Sequence, residues 1–224
     1  MTKQAYIFIG PPGSGKGSLS KLCTFNMGWQ QLSTGNLCRK HISEQTSIGK
    51  EIDFIIRSGK LISDDIVGNM VDQWLAESMQ SDFSLILDGF PRNVMQAHNL
   101  LKMINEKYRA LKIKVVRFVI SDEIAIDRIC NRYICQNHEC QSVYSGDTLS
   151  GLGPKNGLLC DHCSFPLGKR GDDDRETVKN RLKVYRAFEQ DMLTCLSQHE
   201  CIEVNVERPL KEVFETFRVS IKEV

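Results

Sequence analysis

Apolar positions along the chain fall into two kinds of run. The first kind is short, mostly apolar and ends at a turn: "QAYIFI" (Gln4–Ile9), "SLILDG", "IKVVRFVIS" and "CIEVNV". Such runs predict buried strands. The second kind returns every three to four positions. It predicts a helix from about Gly15 to Met27, three more in "NLCRKHISE", "IGKEIDFIIRSGK" and "DDIVGNMVDQWLAES", and a closing helix from Pro209, an acceptable first helical residue. Along "DDIVGNMVDQWLAES", Ile66, Met70, Trp74 and Leu75 share one face. Strands alternating with helices imply an α/β fold, a parallel sheet core flanked by helices on both faces. Tyr133–Lys169 breaks the rhythm. It carries four cysteines and the glycine-rich "SGDTLSGLGPKNG" without a sustained helical period, and it predicts an inserted small domain.

At 224 residues the chain can bury a real core as one domain with a sizeable insertion. Its 41% hydrophobic and 25% charged content is ordinary for a soluble globular protein. A formal net charge of +1 argues against nucleic acid or an acidic membrane held by bulk electrostatics, and leaves room for a local arginine cluster. The N-terminal apolar run is too short for a signal peptide and no stretch reaches membrane-spanning length, so the reading is cytoplasmic. Of nine cysteines, Cys23, Cys38, Cys130, Cys195 and Cys201 are scattered and read as small buried or neutral residues. An odd total without a secretion signal argues against a disulfide framework. His41 and the other histidines read as surface or satisfied core residues.

Chemistry enters at "GPPGSGKGS", Gly10 to Ser18. A strand running into a glycine-rich turn and a helix gathers backbone N–H groups around an anion, helped by the helix N-terminus. Gly13 and Gly15 let the backbone approach phosphate, and Lys16 supplies a mobile cation. The general phosphate-loop pattern puts a hydroxyl directly after the lysine, but Gly17 stands there and Ser18 comes one residue late. In "LILDGFPRNVMQ", Asp88 ends a buried strand and can hold the water shell of a magnesium ion. Four residues on, Arg92 offers a planar fork for a phosphate. "SDEIAIDRICNR" reads as a helix with Arg128 and Arg132 on one face, and "KRGDDDRETVKNRL" places Arg170 and Arg181 around a helix start. Finally, Cys135-x4-Cys140 and Cys160-x2-Cys163 suit a closed, structural tetrahedral zinc site. His138, at the x2 spacing from Cys135, is the alternative to Cys140 as ligand.

These motifs together resemble the adenylate kinase family, and the resemblance spans Ile7 to about Pro209. Its loop reads G-x-P-G-x-G-K-G-T, so Gly17-Ser18 is the family's own spelling. The resemblance implies ATP on Gly13, Ser14, Gly15, Lys16, Gly17 and Ser18, with Ser18 and Asp88 toward magnesium. "DGFPR" resembles the family's D-G-[FY]-P-R, implying Gly89, Phe90, Pro91 and Arg92 at AMP and Gln96 reading adenine. "LSTGNLCRK" resembles S-T-G-D-x-x-R, implying Thr34 and Arg39 at AMP, with Asn36 replacing the usual aspartate. "SGKLISDD" implies Lys60, Leu61 and Ile62 contacting AMP largely through backbone. Arg128, Arg132, Arg170 and Arg181 match the arginines around the transferred phosphate, Arg170 and Arg181 also serving AMP and Arg128 and Arg132 also serving ATP. The cysteine insert is similar to a bacterial zinc lid whose first pair is usually C-x2-C, with Val143 and Tyr144 near the nucleotide. "VNVERPL" loosely resembles the stretch beside ATP's adenine, implying Arg208 there.

The expected reaction is reversible, magnesium-dependent ATP + AMP ⇌ 2 ADP by a monomer. The acceptor phosphate is already an ionised nucleophile, so no general base is needed, and catalysis rests on alignment and charge stabilisation. The expected organisation is a core over 1–32, 63–132 and 170–224, an AMP-binding insert over 33–62 and a zinc lid over 133–169. A UMP, CMP or GTP:AMP kinase stands as the alternative enzyme. A zinc-ribbon nucleic-acid protein stands as the alternative class.

Overall fold

A computed structural model describes residues 3–57, 62–137, 139–146 and 152–221. In chain order these form β1 (Gln4–Ile9), α1 (Lys16–Met27), β2 (Gln30–Ser33), α2 (Thr34–Ser43), α3 (Ser47–Arg57), α4 (Asp64–Ser78), β3 (Leu85–Asp88) and α5 (Val94–Lys107). There follow β4 (Lys112–Val119), α6 (Asp122–Cys130), β5 (Arg132–Cys135), β6 (Val143–Ser145), β7 (Leu167–Gly168), α7 (Arg175–Cys195), β8 (Glu200–Asn205) and α8 (Leu210–Ser220). No helix among the described residues is long and apolar enough to cross a membrane.

The main sheet is parallel, five-stranded and ordered β2-β3-β1-β4-β8. Alternation along β1 builds two cores. Tyr6 and Phe8 join Leu19 and Cys23 of α1, Ile126 and Ile129 of α6 and Phe217 of α8. Ala5, Ile7 and Ile9 face the other way, onto Val71 and Leu75 of α4 and Leu100 and Ile104 of α5. This arrangement positions the site. α1 leaves β1 for one face, α5 leaves β3 for the opposite face, and β1 and β3 are neighbours with Phe8 opposite Asp88. Their following loops diverge, and a crevice opens beyond the strands' carboxyl ends.

The insert has its own antiparallel sheet, ordered β6-β5-β7, over a small cluster of Cys135, Tyr144, Cys160 and Leu167. A further cluster of Cys38, Ile52 and Met70 ties α2, α3 and α4 together. The strands expected at β1, β3, β4 and β8 are present. The sequence reading passes over β2, an edge strand whose single buried residue is Leu32. Two expectations are corrected. Arg128 and Arg132 do not share a helix face, because α6 stops at Cys130 with Asn131 as its C-cap, and Arg132 opens β5. Pro209 is the N-cap of α8 rather than its first helical residue.

Candidate active site

The loop after β1 has Gly13 and Gly15 both at φ 83°, a left-handed conformation that glycine adopts without strain. A Cβ on Gly13 would also run into the Ala125 carbonyl. Gly15 caps α1 without a side-chain hydrogen bond, so the first N–H groups of α1 have no side-chain acceptor at the cap. The Lys16 ammonium donates to the Gly10 carbonyl (2.7 Å), the Pro11 carbonyl (3.0 Å) and Ser14 Oγ (3.2 Å). Burial pushes its pKa down to about 8, against the opposing pull of Asp88. Asp88 is itself buried and its carboxyl is pushed up by desolvation, opposed by Lys16 and Arg92 and by a hydrogen bond from Gln31 Nε2 (3.1 Å). A Cβ on Gly17 would lie 3.3 Å from Asp88 Oδ2. The glycine between Lys16 and Ser18 is therefore what lets this carboxylate stand beside the first turn of α1.

A second helix start faces the same crevice. Ser33 caps α2, its side chain accepting from the Asn36 N–H. Thr34 Oγ1 donates to the Gly89 carbonyl (2.8 Å), and so does Arg92 Nε (2.8 Å). A Cβ on Gly35 would lie 3.3 Å from Arg39 Nη1 and 3.6 Å from Arg92 Nη2, so two guanidinium groups converge over the first turn of α2. Desolvation lowers the pKa of each. Two cations above a helix N-terminus make an anion site. Beside it, Gln96 Oε1 accepts the Arg92 N–H (2.7 Å) and Gln96 Nε2 donates to Asp64 Oδ1 (2.7 Å). The Arg92 donor fixes which way the amide points, leaving a second amide hydrogen and a second lone pair for a base edge.

The remaining arginines close the crevice from α6, β5, the β7–α7 loop and α7. Arg132 is held by Asp173 through Nε (2.6 Å) and Nη2 (2.5 Å), Asp173 being buried. Arg181 pairs with Asp172 (2.8 Å). Arg128 Nη2 donates to the Val206 carbonyl (2.7 Å). Arg170 Nε is buried and makes no hydrogen bond among the described residues. Burial, then the charges of Arg39 and Arg132, depress the Arg170 pKa to about 9. A cation so crowded by cations is stabilised by an anion brought among them. The crevice they line holds about 1400 Å³. That exceeds the roughly 300–1,000 Å³ of a single small-molecule pocket and leaves room for two nucleotides.

In the insert, one sulfur from each of Cys135, Cys140, Cys160 and Cys163 lies within 4.8 Å of every other. Cys135 Sγ is 3.3 Å from Cys163 Sγ, and Cys140 Sγ 3.7 Å from Cys160 Sγ. Four thiols converging at this separation fit a zinc ion with bonds of about 2.3 Å. His138, the alternative ligand, lies outside the described residues, as do Lys60 and Leu61.

Comparison with known proteins agrees with this geometry. The adenylate kinase family profile matches residues 8–201. The chain belongs to the adenylate kinase family. It is 41% identical over 180 residues to the adenylate kinase of Allorhizobium ampelinum and 38% identical over 180 residues to that of Borrelia garinii subsp. bavariensis, covering 80% of each chain in both cases. It is 32% identical over 213 residues to the adenylate kinase of Kosmotoga olearia, covering 93% of this chain and 96% of the relative. As a member of that family it is a nucleoside monophosphate kinase, a phosphotransferase that uses Mg2+ with ATP, and its four clustered cysteines fit a structural zinc.

In this chain the crevice lining gathers Gly13 to Ser18, Thr34, Arg39, Ile62, Asp88, Gly89, Pro91, Arg92, Gln96, Arg128, Arg132, Val143, Tyr144, Arg170, Arg181 and Arg208. Phe90 is different. Its side chain is 1% exposed and packs in the core with Ile7 and Leu87, so only its backbone is left for a ligand. Tyr144 reaches the lining, but its ring packs in the cysteine cluster. Its hydroxyl lies 3.3 Å from Cys160 Sγ and accepts the Asp161 N–H at 2.8 Å. The sequence reading misses Gln31, Asp64 and Asp173, each of which fixes a site residue from a distant part of the chain. The aspartates of "RGDDDR" were the one local signal that could have pointed to Asp173.

Proposed function

We propose that the chain catalyses reversible transfer of the terminal phosphoryl group of ATP to AMP, giving two ADP. The observation that carries this reading is the pair of anion-binding helix starts, α1 and α2, that open into one arginine-lined crevice. ATP's phosphates occupy the Gly13–Ser18 loop and Lys16. The AMP phosphate lies on Arg39 and Arg92 with Thr34 nearby, and Gln96 reads the adenine. Arg128 and Arg208 flank the donor base. Arg132, Arg170 and Arg181, with Arg128 beside them, gather around the group in flight. An AMP phosphate oxygen bonds to the γ-phosphorus while the bond to the β–γ bridging oxygen breaks, and the arginines offset the charge crowded there. Ser18 and Asp88 would hold a magnesium ion through water, and there it would draw charge off the donor phosphates.

We assign 33–62 as the AMP-binding insert and 133–169 as a zinc lid that excludes water over the donor, with the remainder as core. We also read the protein as a monomer of the cytoplasm acting on small nucleotides rather than nucleic acid, in keeping with its net charge of +1. The test is ADP formation from ATP with AMP, UMP, CMP and GMP compared as acceptors, and with GTP as alternative donor. AMP should be turned over best. Faster turnover of UMP or CMP would refute the acceptor assignment.

A further inference from the structure

The first cysteine pair is wider than a C-x2-C knuckle, with four residues between Cys135 and Cys140. The knuckle is held by its own backbone. The Asn137 carbonyl accepts the N–H groups of Cys140 (3.1 Å) and Gln141 (2.9 Å), and Asn137 Oδ1 accepts that of Glu139 (2.9 Å). Gln141, directly after Cys140 of the four-cysteine cluster, has φ 43°. The described residues of this loop lie against the α2 arm and the core at once. Gln141 Oε1 accepts from Arg39 Nε (2.8 Å), Glu139 pairs with Lys40 (3.8 Å), and Lys21 Nζ donates to the Cys140 carbonyl (2.9 Å) and Ser142 Oγ (3.4 Å).

The first of these contacts bears on the reaction. The Arg39 guanidinium is held on one edge by Gln141 through Nε and by Asn36 through Nη2. Its Nη1 faces the first turn of α2 alongside Arg92 Nη2. A planar fork held at two of its nitrogens keeps the third aimed. We propose that Gln141 is a positioning residue for AMP: by holding Arg39 Nε, the metal-bearing knuckle latches onto the AMP arm and aims the guanidinium at the acceptor phosphate. The proposal rests on the reading of Arg39 as an AMP-phosphate ligand. It ties metal loading of the lid to acceptor affinity, because the metal holds Cys140 and Cys140 fixes the start of Gln141.

Steady-state kinetics of Gln141→Leu at saturating ATP test it. The KM for AMP should rise about three- to tenfold, the scale of one hydrogen bond to a charged group. The kcat and the KM for ATP should stay within about twofold, and zinc should remain at one per chain. Gln141→Glu keeps an acceptor oxygen and should restore AMP affinity. In an Arg39→Ala background, Gln141→Leu should have no further effect. Calorimetric AMP binding with a non-hydrolysable ATP analogue in place should weaken in Gln141→Leu by the same factor as its KM rises, and at least as much in the chelated wild type. An unchanged or lowered KM for AMP in Gln141→Leu, or an undiminished effect in the Arg39→Ala background, overturns the latch. Should Gln141→Leu lose zinc, the shorter Gln141→Asn carries the same criteria. If Arg39→Ala itself leaves the KM for AMP unchanged, the parent assignment has failed and the latch falls with it.

Discussion

Lys16 occupies a place where burial strips its water and Asp88 only partly compensates, which leaves its pKa near 8. Two consequences follow from that depression. Between about pH 8 and 10.5 the unfolded chain binds the proton that the folded chain has lost, so this group favours folding more as pH rises through that window. Activity moves the other way. The value of kcat/KM for ATP should fall as pH passes about 8, since it follows the free enzyme, while kcat should persist to higher pH because bound phosphates hold the ammonium's proton. A pH profile of kcat/KM that stays flat to pH 10 would show that Lys16 is not needed charged. Arg132 calls for a different substitution. Replacing it with alanine strands a buried Asp173, at a cost of about 3–5 kcal/mol, and confuses folding with chemistry. Arg132→Lys keeps a charge for Asp173 but loses the fork. We expect kcat to drop on the order of a hundredfold with the melting temperature nearly unchanged; near-normal kcat would make Arg132 a structural partner of Asp173. At Gly17, alanine brings a Cβ to 3.3 Å from Asp88 Oδ2. Displacing that carboxylate should lower kcat about tenfold and raise the magnesium requirement, read from a metal titration.

At the scale of elements, the cysteine knuckles are the part of the fold with least apolar support. Their cluster holds four buried residues, two of them Cys135 and Cys160 of the candidate zinc site. The metal must supply what a core otherwise would. Cys140→Ser should therefore lose zinc by metal analysis; full occupancy there, with zinc lost in His138→Ala, would give the fourth position to the histidine. The strands β1 and β3 were legible because they carry unbroken apolar runs, the mark of strands covered on both faces, and β4 and β8 because apolar residues still predominate in a short run. β2 was not, since an edge strand reading "QQLS" with one buried leucine leaves no run to see. The end of α6 was also hidden. Nothing in "RICNRY" forbids another helical turn, and it is the pairing of Arg132 with Ser145 in the small sheet that ends the helix. The motifs that touch phosphate were legible for the opposite reason: each is contiguous and carries its chemistry locally. Gln31, Asp64, Asp173 and Gln141 serve the site through approaches across 57, 32, 41 and 102 residues, and no local pattern records such partners.

Taken whole, the molecule concentrates its packing around the parallel sheet and hangs a small unit, built on four clustered cysteines, from the α6–β5 and β7–α7 junctions. The lid should therefore melt first when metal is removed. Calorimetry after chelation should show a low-temperature shoulder absent from the loaded protein, with the main transition shifted by only a few degrees. A single, uniformly lowered transition would show that lid and core unfold as one unit. The aromatic packing described by the core clusters adds an optical consequence. The chain has two tryptophans, and neither is in the lid. Trp29 is stacked on Tyr6 at 4.4 Å within one core, and Trp74 packs against the other from α4. The lid's own fluorophores are Tyr133 and Tyr144, whose emission is weak beside indole. Tryptophan fluorescence is therefore blind to the lid. A preparation stripped of zinc, with its lid melted, will keep the emission spectrum of the intact protein.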